Sequence, residues 1–478
     1  MKRVALTVLC GLTLWCPAPA VAAVGAAAKR IAALERKALP PFALPKVLER
    51  RLAGGMRCFL LPDRTLPLMR FQLYLATGRV FDPADRVGLN DLMLGLLRSG
   101  GTRAHRATEV DEALEQRAIT IQFEPGNEVS SVEVGAMSEM TEEALTWAAE
   151  LLREPAFETE RIALAKGLAI EAIRRQNDTP TEIVHREFRK VVYGPESPWA
   201  RSPDAASIGA ITADDLVRAH ARLAPLARAT CAAAGDFDPE AFVALLNRLF
   251  PGAPVPEAVL PSAPPAPIAW QAGTWLAERR AAQAAVTIGH RATDRWNPDK
   301  YALVVMNEIL GSGQTFSSWL TSMIRTAKGL AYEVWSHYGF GPKEAAGIFQ
   351  IHAKTRPEKV GEVIRLARDL VAKMADGVSV TEPDVRRMKE SIRKRSVFEY
   401  EEPFHVATET ARFVYLGFPP DYLQVYQRGI DAVTLADVRR VATQYLRPDA
   451  LQVLIVGERA KMGESLSPLG PIAPYPLQ

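Results

Sequence analysis

The stretch "GLNDLMLGLLRSGG", residues 88–101, predicts a helix that is buried along one face. Its apolar residues recur with alternating gaps of three and one, a spacing that brings them to one side of an α-helix. These residues are Leu89, Leu92, Met93, Leu96 and Leu97. The glycine pair that closes the stretch is typical of a helix end. Leu94 and Gly95 carry no polar side chain, so Asn90 and Asp91 are the polar groups between the apolar positions.

The first 22 residues predict a secretory signal peptide. Two basic residues precede a short apolar run that ends in the small-residue pattern Ala20-Val21-Ala22. A lipoprotein anchor on Cys16 is the competing interpretation, but Trp15 stands where lipoprotein signals need a small residue. We therefore expect cleavage after Ala22 and export to a bacterial periplasm.

Composition and charge exclude several classes of protein. The chain has 478 residues, of which 48% are hydrophobic and 24% charged, as in globular proteins of roughly two to four domains. No segment beyond the signal reaches about 18 uninterrupted apolar residues, so an integral membrane segment is not expected. Removal of the signal takes two of the 58 basic residues and leaves a formal charge of +1 against 55 acidic residues. A net charge so close to zero does not indicate a nucleic-acid-binding protein.

Two cysteines remain after the signal is removed, Cys58 and Cys231. An oxidising compartment allows them to form a disulfide. Both lie in apolar, strand-like runs, and two buried thiols fit those runs equally well. The sequence leaves this choice open.

The stretch "PGAPVPEAVLPSAPPAPIAW", residues 251–270, predicts an extended linker between two similar domains. Its seven prolines within 20 residues forbid a helix. The flanking blocks, 43–250 and 271–460, end alike: "AITADDLVRAHARLAPLARATCAAAGDFDP" parallels "AVTLADVRRVATQYLRPDALQVLIVGE". Each ending predicts a helix with a threonine N-cap, followed by a β-rich strand. A duplicated domain is the economical interpretation.

The order of elements within each block favours an α+β fold. In the first block, "GMRCFLLPD" and "LPLMRFQLYLATG" predict paired strands before the helix of residues 88–101. In the second, "AAVTIGHRAT" predicts a strand before a helical region. Strands that precede a group of helices predict an antiparallel sheet packed with helices rather than a doubly wound fold.

The whole mature chain resembles the insulinase, pitrilysin and mitochondrial processing peptidase family. The resemblance rests on the helix from Gly88-Leu89 to Gly101-Thr102, "IRTAKGLAYEVWS", the Gly311–Gly313 loop, the strand end "GDFDP" and the duplicated plan. It implies two similar domains arranged as half of a clamshell. Members of this family bind zinc on an inverted H-x-x-E-H helix.

The metal ligands of that motif are missing from this chain. Two histidines at i and i+4 must reach one zinc, and a glutamate beside the second histidine polarises the attacking water. The alignment places Asp91 and Gly95 at the histidine positions, Leu94 at the glutamate, and Ala172 at the third ligand. A shift of one residue in the alignment would place Glu171 at the third ligand, but the carboxylates of Glu171 and Asp91 alone make a poor zinc site. The scaffold of the metal helix is kept for its packing, and we expect no cofactor in this chain.

Two residues of "IRTAKGLAY" are the candidate functional residues. In zinc-free bacterial subunits of the family, an arginine and a tyrosine enter the zinc-bearing partner's active site, and the resemblance places them at Arg325 and Tyr332. Forked guanidinium donors and a phenol suit a substrate carbonyl or oxyanion. The structural alternative is that Arg325 neutralises a helix C-terminus before Gly329 and Tyr332 opens a half-buried strand. Lys328 matches a basic position often found in this motif.

The resemblance therefore implies a zinc-free, non-hydrolytic subunit of a heterodimeric periplasmic metallopeptidase. A zinc-bearing homologous peptidase subunit would be the partner, a peptide the substrate, and the partner would carry the zinc. The alternative is a non-catalytic peptide-binding or assembly protein without a peptidase partner. Peptide specificity and the partner's identity do not follow from the sequence.

Overall fold

The computed structural model describes residues 43–223, 229–252, 264–265 and 272–477. The chain divides into Met1–Leu44 and Pro45–Gln478, and the second of these contains the fold. The predicted signal peptide lies outside the described residues. So does most of the predicted linker, and the domain boundaries at 250 and 271 stay predictions.

The first half contains a six-stranded sheet and eight helices within the described residues. Its strands are β1 (Leu48–Arg51), β2 (Arg57–Pro62), β3 (Leu68–Leu75), β4 (Thr120–Glu124), β5 (Ser130–Met137) and β6 (Thr230–Gly235). Its helices are α1 (Leu89–Ser99), α2 (Ala107–Gln116), α3 (Thr141–Arg153), α4 (Thr159–Arg175), α5 (Pro180–Tyr193), α6 (Ala205–Ala210), α7 (Ala213–Ala221) and α8 (Pro239–Leu249). The helix predicted from residues 88–101 is confirmed as α1.

The first sheet has the order β1-β2-β6-β3-β5-β4, with β2 and β6 parallel and its other neighbours antiparallel. The predicted pairing of β2 with β3 is wrong, because β6 lies between them and bonds to both. Strand β6 is apolar and mostly buried, as expected of a central strand. A parallel partner must arrive through a long crossover, so local sequence around β2 does not reveal it.

The register of β2 and β6 decides the cysteine question. Cys58 and Cys231 stand opposite each other in this parallel pair, with their Cα atoms 4.7 Å apart. They form a disulfide that joins positions 173 residues apart in the chain. Both side chains are fully buried in the core of the first half.

The second half repeats the plan. Its strands are β7 (Gly273–Glu278), β8 (Ala284–Arg291), β9 (Thr293–Asp294), β10 (Ala331–Tyr338), β11 (Phe340–Gly341), β12 (Ile348–Thr355), β13 (Gln452–Gly457) and β14 (Ala473–Pro474). Its α-helices are α9 (Lys300–Leu310), α10 (Val360–Ala375), α11 (Glu382–Glu399), α12 (Pro403–Tyr415), α13 (Tyr422–Ala432), α14 (Leu435–Tyr445) and α15 (Arg459–Met462). A π-helix, Thr321–Ala327, precedes β10.

The second sheet has the order β10-β12-β8-β13-β7-β14. Strands β7 and β13 run parallel, as β2 and β6 do, and the remaining central pairs are antiparallel. Thr212 and Thr434 accept hydrogen bonds from backbone N–H groups at the starts of α7 and α14, which confirms the two predicted N-caps. The α+β fold with two similar, mainly antiparallel sheets packed with helices is confirmed.

The two halves exchange one helix each. Helix α5 of the first half contacts β8 and β13 of the second sheet, and α12 of the second half contacts β2, β3 and β6 of the first. The first residue of each central strand, β6 and β13, donates a hydrogen bond to the exchanged helix. The Thr230 hydroxyl donates to the carbonyl oxygen of Ala411 (3.1 Å). The Gln452 side-chain amide donates to the carbonyl oxygen of Val191 (3.2 Å). The exchange therefore buries the face of each sheet that its own helices leave open.

No helix among the described residues is long and apolar enough to cross a lipid bilayer.

Replacing Phe188 tests the helix exchange. This ring is fully buried where α5 meets the second sheet, together with Ile183, Val184 and Leu454. We expect Phe188→Ala to lower the free energy of unfolding by about 3–5 kcal/mol, because it leaves a cavity in the apolar layer that joins α5 to that sheet. Phe398→Ala is the matched control, since that ring is 76% exposed on α11, and it should cost less than about 0.5 kcal/mol. Urea unfolding of both variants measures the difference, and equal midpoints would contradict the packing role of α5.

Candidate functional site

Helix α1 is held at its N-terminus by a buried polar network. The Asp82 carboxylate accepts hydrogen bonds from the backbone N–H groups of Gly88 (2.8 Å) and Asn90 (3.0 Å). The Asn90 amide also donates to Asp82 and to the carbonyl oxygen of Gly78, and the Thr77 hydroxyl donates to Asn90. Burial raises the pKa of Asp82 to about 6, although the bonds from Asn90 and Gly88 act in the opposite direction. The network replaces a capping side chain, because Gly88 at the N-cap has none.

The four degenerate metal positions do not form a metal site. Asp91 is bound by the Nε of Arg79, 2.9 Å from each carboxylate oxygen. Leu94 is fully buried in the core of the first half. Gly95 and Ala172 are exposed, and a Cβ at Gly95 would meet nothing within 4 Å. Of these four residues, Asp91 is thus the one whose side chain could bind a metal, and Arg79 already neutralises its charge.

The remaining candidate ligand is also engaged. Glu171 forms ion pairs with Arg174 (3.4 Å) and Arg175 (3.1 Å) on its own helix. Within the described residues, no group of three or more His, Cys, Asp or Glu side chains could hold a metal ion. The residues at the predicted metal positions therefore do not fit zinc.

Arg325 and Tyr332 lie together at the start of β10. Arg325 is in the last turn of the π-helix, and Gly329 (φ +60°) turns the chain into the strand. The guanidinium carbon of Arg325 lies 4.8 Å from the ring centre of Tyr332 and 4.9 Å from that of Phe316. Tyr332 is the second residue of β10, a strand of alternating burial as the structural alternative predicts, and its own side chain is 80% exposed. π-Helical turns are rare and often occur at functional sites.

The polar ends of this pair are free of protein partners. In the part of the chain that the structure describes, no carboxylate pairs with Arg325, and the Tyr332 hydroxyl has no hydrogen bond. Two aromatic rings order the guanidinium without using its N–H donors. The arrangement can therefore present both a forked cation and a phenol to an oxygen acceptor.

The neighbouring motif residues have structural roles. Lys328 forms an ion pair with Glu362 (3.2 Å) at the start of α10. Gly313 has φ +81°, and a Cβ there would come within 3.0 Å of the Cβ of Trp335. The Gly311–Gly313 loop is thus a tight turn against β10.

Three features of the site were not predicted from the sequence. Arg79 lies 12 residues before its partner Asp91, outside the predicted helix. Phe316 precedes Arg325 by nine residues. Its position close after the glycine loop was the one sequence feature that could have indicated a role for this aromatic residue. The contact between His185 and His352, whose ring nitrogens are 3.1 Å apart, joins α5 to β12 across 167 residues and has no local signal.

Known proteins resemble this chain in sequence. Residues 210–392 match the family model described as Peptidase M16 inactive domain. A Streptomyces coelicolor protein named as an uncharacterized zinc protease is 25% identical over 415 residues, which cover 84% of this chain and 88% of that protein. The predicted resemblance to this peptidase family is confirmed, and residues 210–392 are similar to its inactive domain.

Solved structures share the fold. The peptidase M16 inactive domain from Pseudomonas fluorescens has a TM-score of 0.78 and 22% identity, over 91% of this chain and all of that one. The periplasmic protease PqqL from Escherichia coli has a TM-score of 0.71 and 16% identity, over 96% of this chain. The match covers 49% of the PqqL chain, so this chain spans about half of that protease.

Metal analysis tests the degenerate site. We expect the purified chain to hold no stoichiometric zinc, and one tightly bound zinc per chain would contradict our assignment. Restoring the motif with Asp91→His, Leu94→Glu, Gly95→His and Ala172→Glu should give weak binding at most, because Leu94→Glu places a carboxylate in the core at a cost of roughly 3 kcal/mol or more. Gly95→His alone is the control, and it should fold like the wild type because its side chain enters open space.

The pKa of Asp82 predicts a pH dependence of stability. The folded chain keeps this proton up to about pH 6, whereas the unfolded chain releases it near pH 4. Between these values the folded state binds more protons, so the stability contributed by Asp82 falls as pH rises. We expect the free energy of unfolding of the wild type, relative to Asp82→Asn, to fall by about 2–3 kcal/mol from pH 4 to pH 6. Urea unfolding at several pH values measures it, and parallel curves for the two proteins would refute it.

Proposed function

We propose that this relative of the M16 peptidases, which contains their inactive domain, is the zinc-free subunit of a two-subunit metallopeptidase. A homologous subunit would bind zinc and hydrolyse the peptide. This chain would form half of a clamshell around the substrate and complete the chamber. The lack of usable donors at Leu94, Gly95 and Ala172 supports a non-hydrolytic role.

The pair of Arg325 and Tyr332 is the observation that carries the proposal. Tyr332 is 80% exposed and Arg325 is half-buried, and among the described residues no protein group pairs with their polar atoms. The guanidinium of Arg325 lies against two exposed rings, which leave its N–H donors available. Its geometry suits an acceptor that comes from another molecule.

The chemistry follows from these two donors. Arg325 would donate through its fork to the carbonyl oxygen of the bond to be cleaved, and the Tyr332 hydroxyl would donate a further hydrogen bond. Negative charge develops on that oxygen during attack, so donors fixed beforehand stabilise the transition state more than the ground state. Arg325 and Tyr332 would thus act across the subunit interface on the partner's substrate.

The compartment is part of the same proposal. The N-terminal residues have the pattern of a secretory signal, and PqqL, a relative in fold, is described as periplasmic. An oxidising periplasm also suits the buried disulfide between Cys58 and Cys231. We therefore place the complex in the periplasm.

Kinetics of the reconstituted complex test the catalytic pair. Arg325→Ala and Tyr332→Phe should each lower kcat/KM about 10²- to 10³-fold, or roughly 3–4 kcal/mol, because each removes one transition-state donor. The melting temperature and the affinity for the partner should stay nearly unchanged, since among the described residues no protein group pairs with the polar atoms of either side chain. The partner is first obtained by co-purification from periplasm and identified by mass spectrometry.

Arg365→Ala is the control for that experiment. Arg365 is exposed on α10, and its ion pair with Asp369 is a surface contact worth little. Full activity in both Arg325→Ala and Tyr332→Phe would remove the catalytic role. Activity that falls only in step with melting temperature would assign the pair a structural role. Isolation of the native chain with no peptidase would favour the alternative of a peptide-binding or assembly protein.

A further inference from the structure

A cleft of about 780 Å³ lies between helix α5 and the turn that follows β10, and the proposed function does not use it. One wall is formed by α5 and the segment 198–202, and the other by residues around Gly339 and Gly347. Arg79 stands at its border. The cleft therefore lies where the two halves meet, beside the degenerate metal position.

The walls of the cleft are rich in arginine. Its four arginines are Arg79, Arg186, Arg189 and Arg201. Arg79 is paired with Asp91, and Arg186 with Glu187 at 2.7 Å. Both of these positive charges are therefore balanced by a neighbouring carboxylate.

The acidic residues of the cleft are engaged elsewhere. Glu128 forms an ion pair with Arg295, behind the wall. Glu182 accepts a hydrogen bond from the Thr179 hydroxyl (2.7 Å) at the N-terminus of α5. Neither carboxylate contacts Arg189 or Arg201.

Arg189 and Arg201 are held by backbone carbonyl oxygens instead of carboxylates. The Nε and Nη2 of Arg189 donate to the Trp199 oxygen at 3.0 and 2.5 Å, and the Nη2 of Arg201 donates to the Asp82 oxygen at 2.8 Å. The Nε of Arg201 is buried and has no partner. Among the described residues, no carboxylate forms an ion pair with either guanidinium.

Two half-buried guanidiniums without counter-charges favour an anion. Burial lowers the pKa of Arg189, Tyr193 acts in the opposite direction, and the positive charge of Arg79 lowers the pKa further. Two hydrogen bonds to one carbonyl oxygen fix the plane of the Arg189 guanidinium, and one such bond holds Arg201. Among the described residues, neither Nη1 has a protein acceptor. A guanidinium fixed in this way offers the parallel donors that match the two oxygens of a carboxylate.

The size and walls of the cleft indicate that the anion belongs to a larger molecule. Its volume is in the range of sites for organic ligands and far exceeds a single inorganic anion. Its apolar lining includes Tyr193, Trp199, Phe340 and Ile348. Such walls can bury aliphatic or aromatic groups beside the charged one.

We propose that this cleft binds a peptide through one of its carboxylates, which would lie between Arg189 and Arg201. The choice of a peptide as the ligand rests on the proposed function, whereas the preference for a carboxylate rests on the two guanidiniums. The carboxylate is that of the C-terminus or of an acidic side chain. The cleft would thereby hold one part of a substrate whose scissile bond lies elsewhere.

Titration calorimetry on the full mature chain, without the partner, tests the site. The probes are N-acetyl-pentaalanine with a free carboxylate, its C-terminal amide, N-acetyl-Ala-Ala-Glu-Ala-Ala-amide and inorganic phosphate. We expect at least one of the two carboxylate peptides to bind at least tenfold more tightly than the pentaalanine amide. Binding of the first alone identifies a C-terminal carboxylate, and binding of the third identifies an acidic side chain.

Variants assign the binding to the two arginines. Arg189→Met and Arg201→Met should each weaken the preferred peptide at least tenfold, because each removes a charge-assisted contact. Arg365→Met, on the exposed face of α10, should bind like the wild type. If circular dichroism shows that a methionine variant does not fold, Arg189→Lys or Arg201→Lys replaces it. Loss of the two parallel N–H donors of the guanidinium should still weaken binding.

Three results would overturn the proposal: affinity of both carboxylate peptides no higher than that of the pentaalanine amide, wild-type affinity in folded variants of both arginines, or tighter binding of phosphate than of either carboxylate peptide. Each of them leaves the roles of Arg325 and Tyr332 untouched, since those are measured by kinetics of the complex. Loss of the kinetic effect at Arg325 would in turn leave carboxylate binding standing. The two proposals can therefore fail separately.

Discussion

The exchange of helices α5 and α12 is the contact on which the arrangement of the fold depends. Each sheet has its own helices on one face, and its other face is closed by a helix from the opposite half. An uncovered apolar face would cost roughly 25 cal/mol for every Å² left in water. The central strands make the contact close: β6 reads "TCAAAG", and its alanines let α12 lie directly on the sheet. Neither half can bury both faces of its sheet alone, so their folding is coupled.

The same exchange creates the cleft. One face of α5 carries Ile183, Val184 and Phe188 into the second sheet, while Arg186 and Arg189 of the same helix line the open space. The helix thus joins the halves with its apolar side and presents charge with its polar side. A cleft at such a junction is a common place for a ligand, because residues from distant parts of the chain converge there.

The positions of α1 that were predicted as degenerate metal ligands serve the fold. Leu94 adds to the core, and Arg79 neutralises the carboxylate of Asp91. A partnered or apolar group at each position avoids the cost of a buried, unpaired donor. Arg325 differs in this respect, because Phe316 and Tyr332 order it while, within the described ranges, no protein acceptor binds its N–H donors. Stacking of this kind contributes about 0.5–1 kcal/mol at exposed sites, enough to favour one orientation.

Much of the fold and half of the site were determined by the sequence alone. The apolar spacing of residues 88–101, the threonine caps at Thr212 and Thr434 and the apolar strands are local signals, because hydrogen bonding and side-chain direction within one element repeat every few residues. The missing ligands at Leu94, Gly95 and Ala172 could likewise be identified from residue type, since leucine, glycine and alanine have no donor. Only the tertiary structure placed β6 between β2 and β3, joined Cys58 to Cys231 and brought Arg189 and Arg201 to one cleft. These contacts join residues that are separated in sequence by several helices. Pairing between such distant segments leaves no periodic pattern in the sequence that could reveal it.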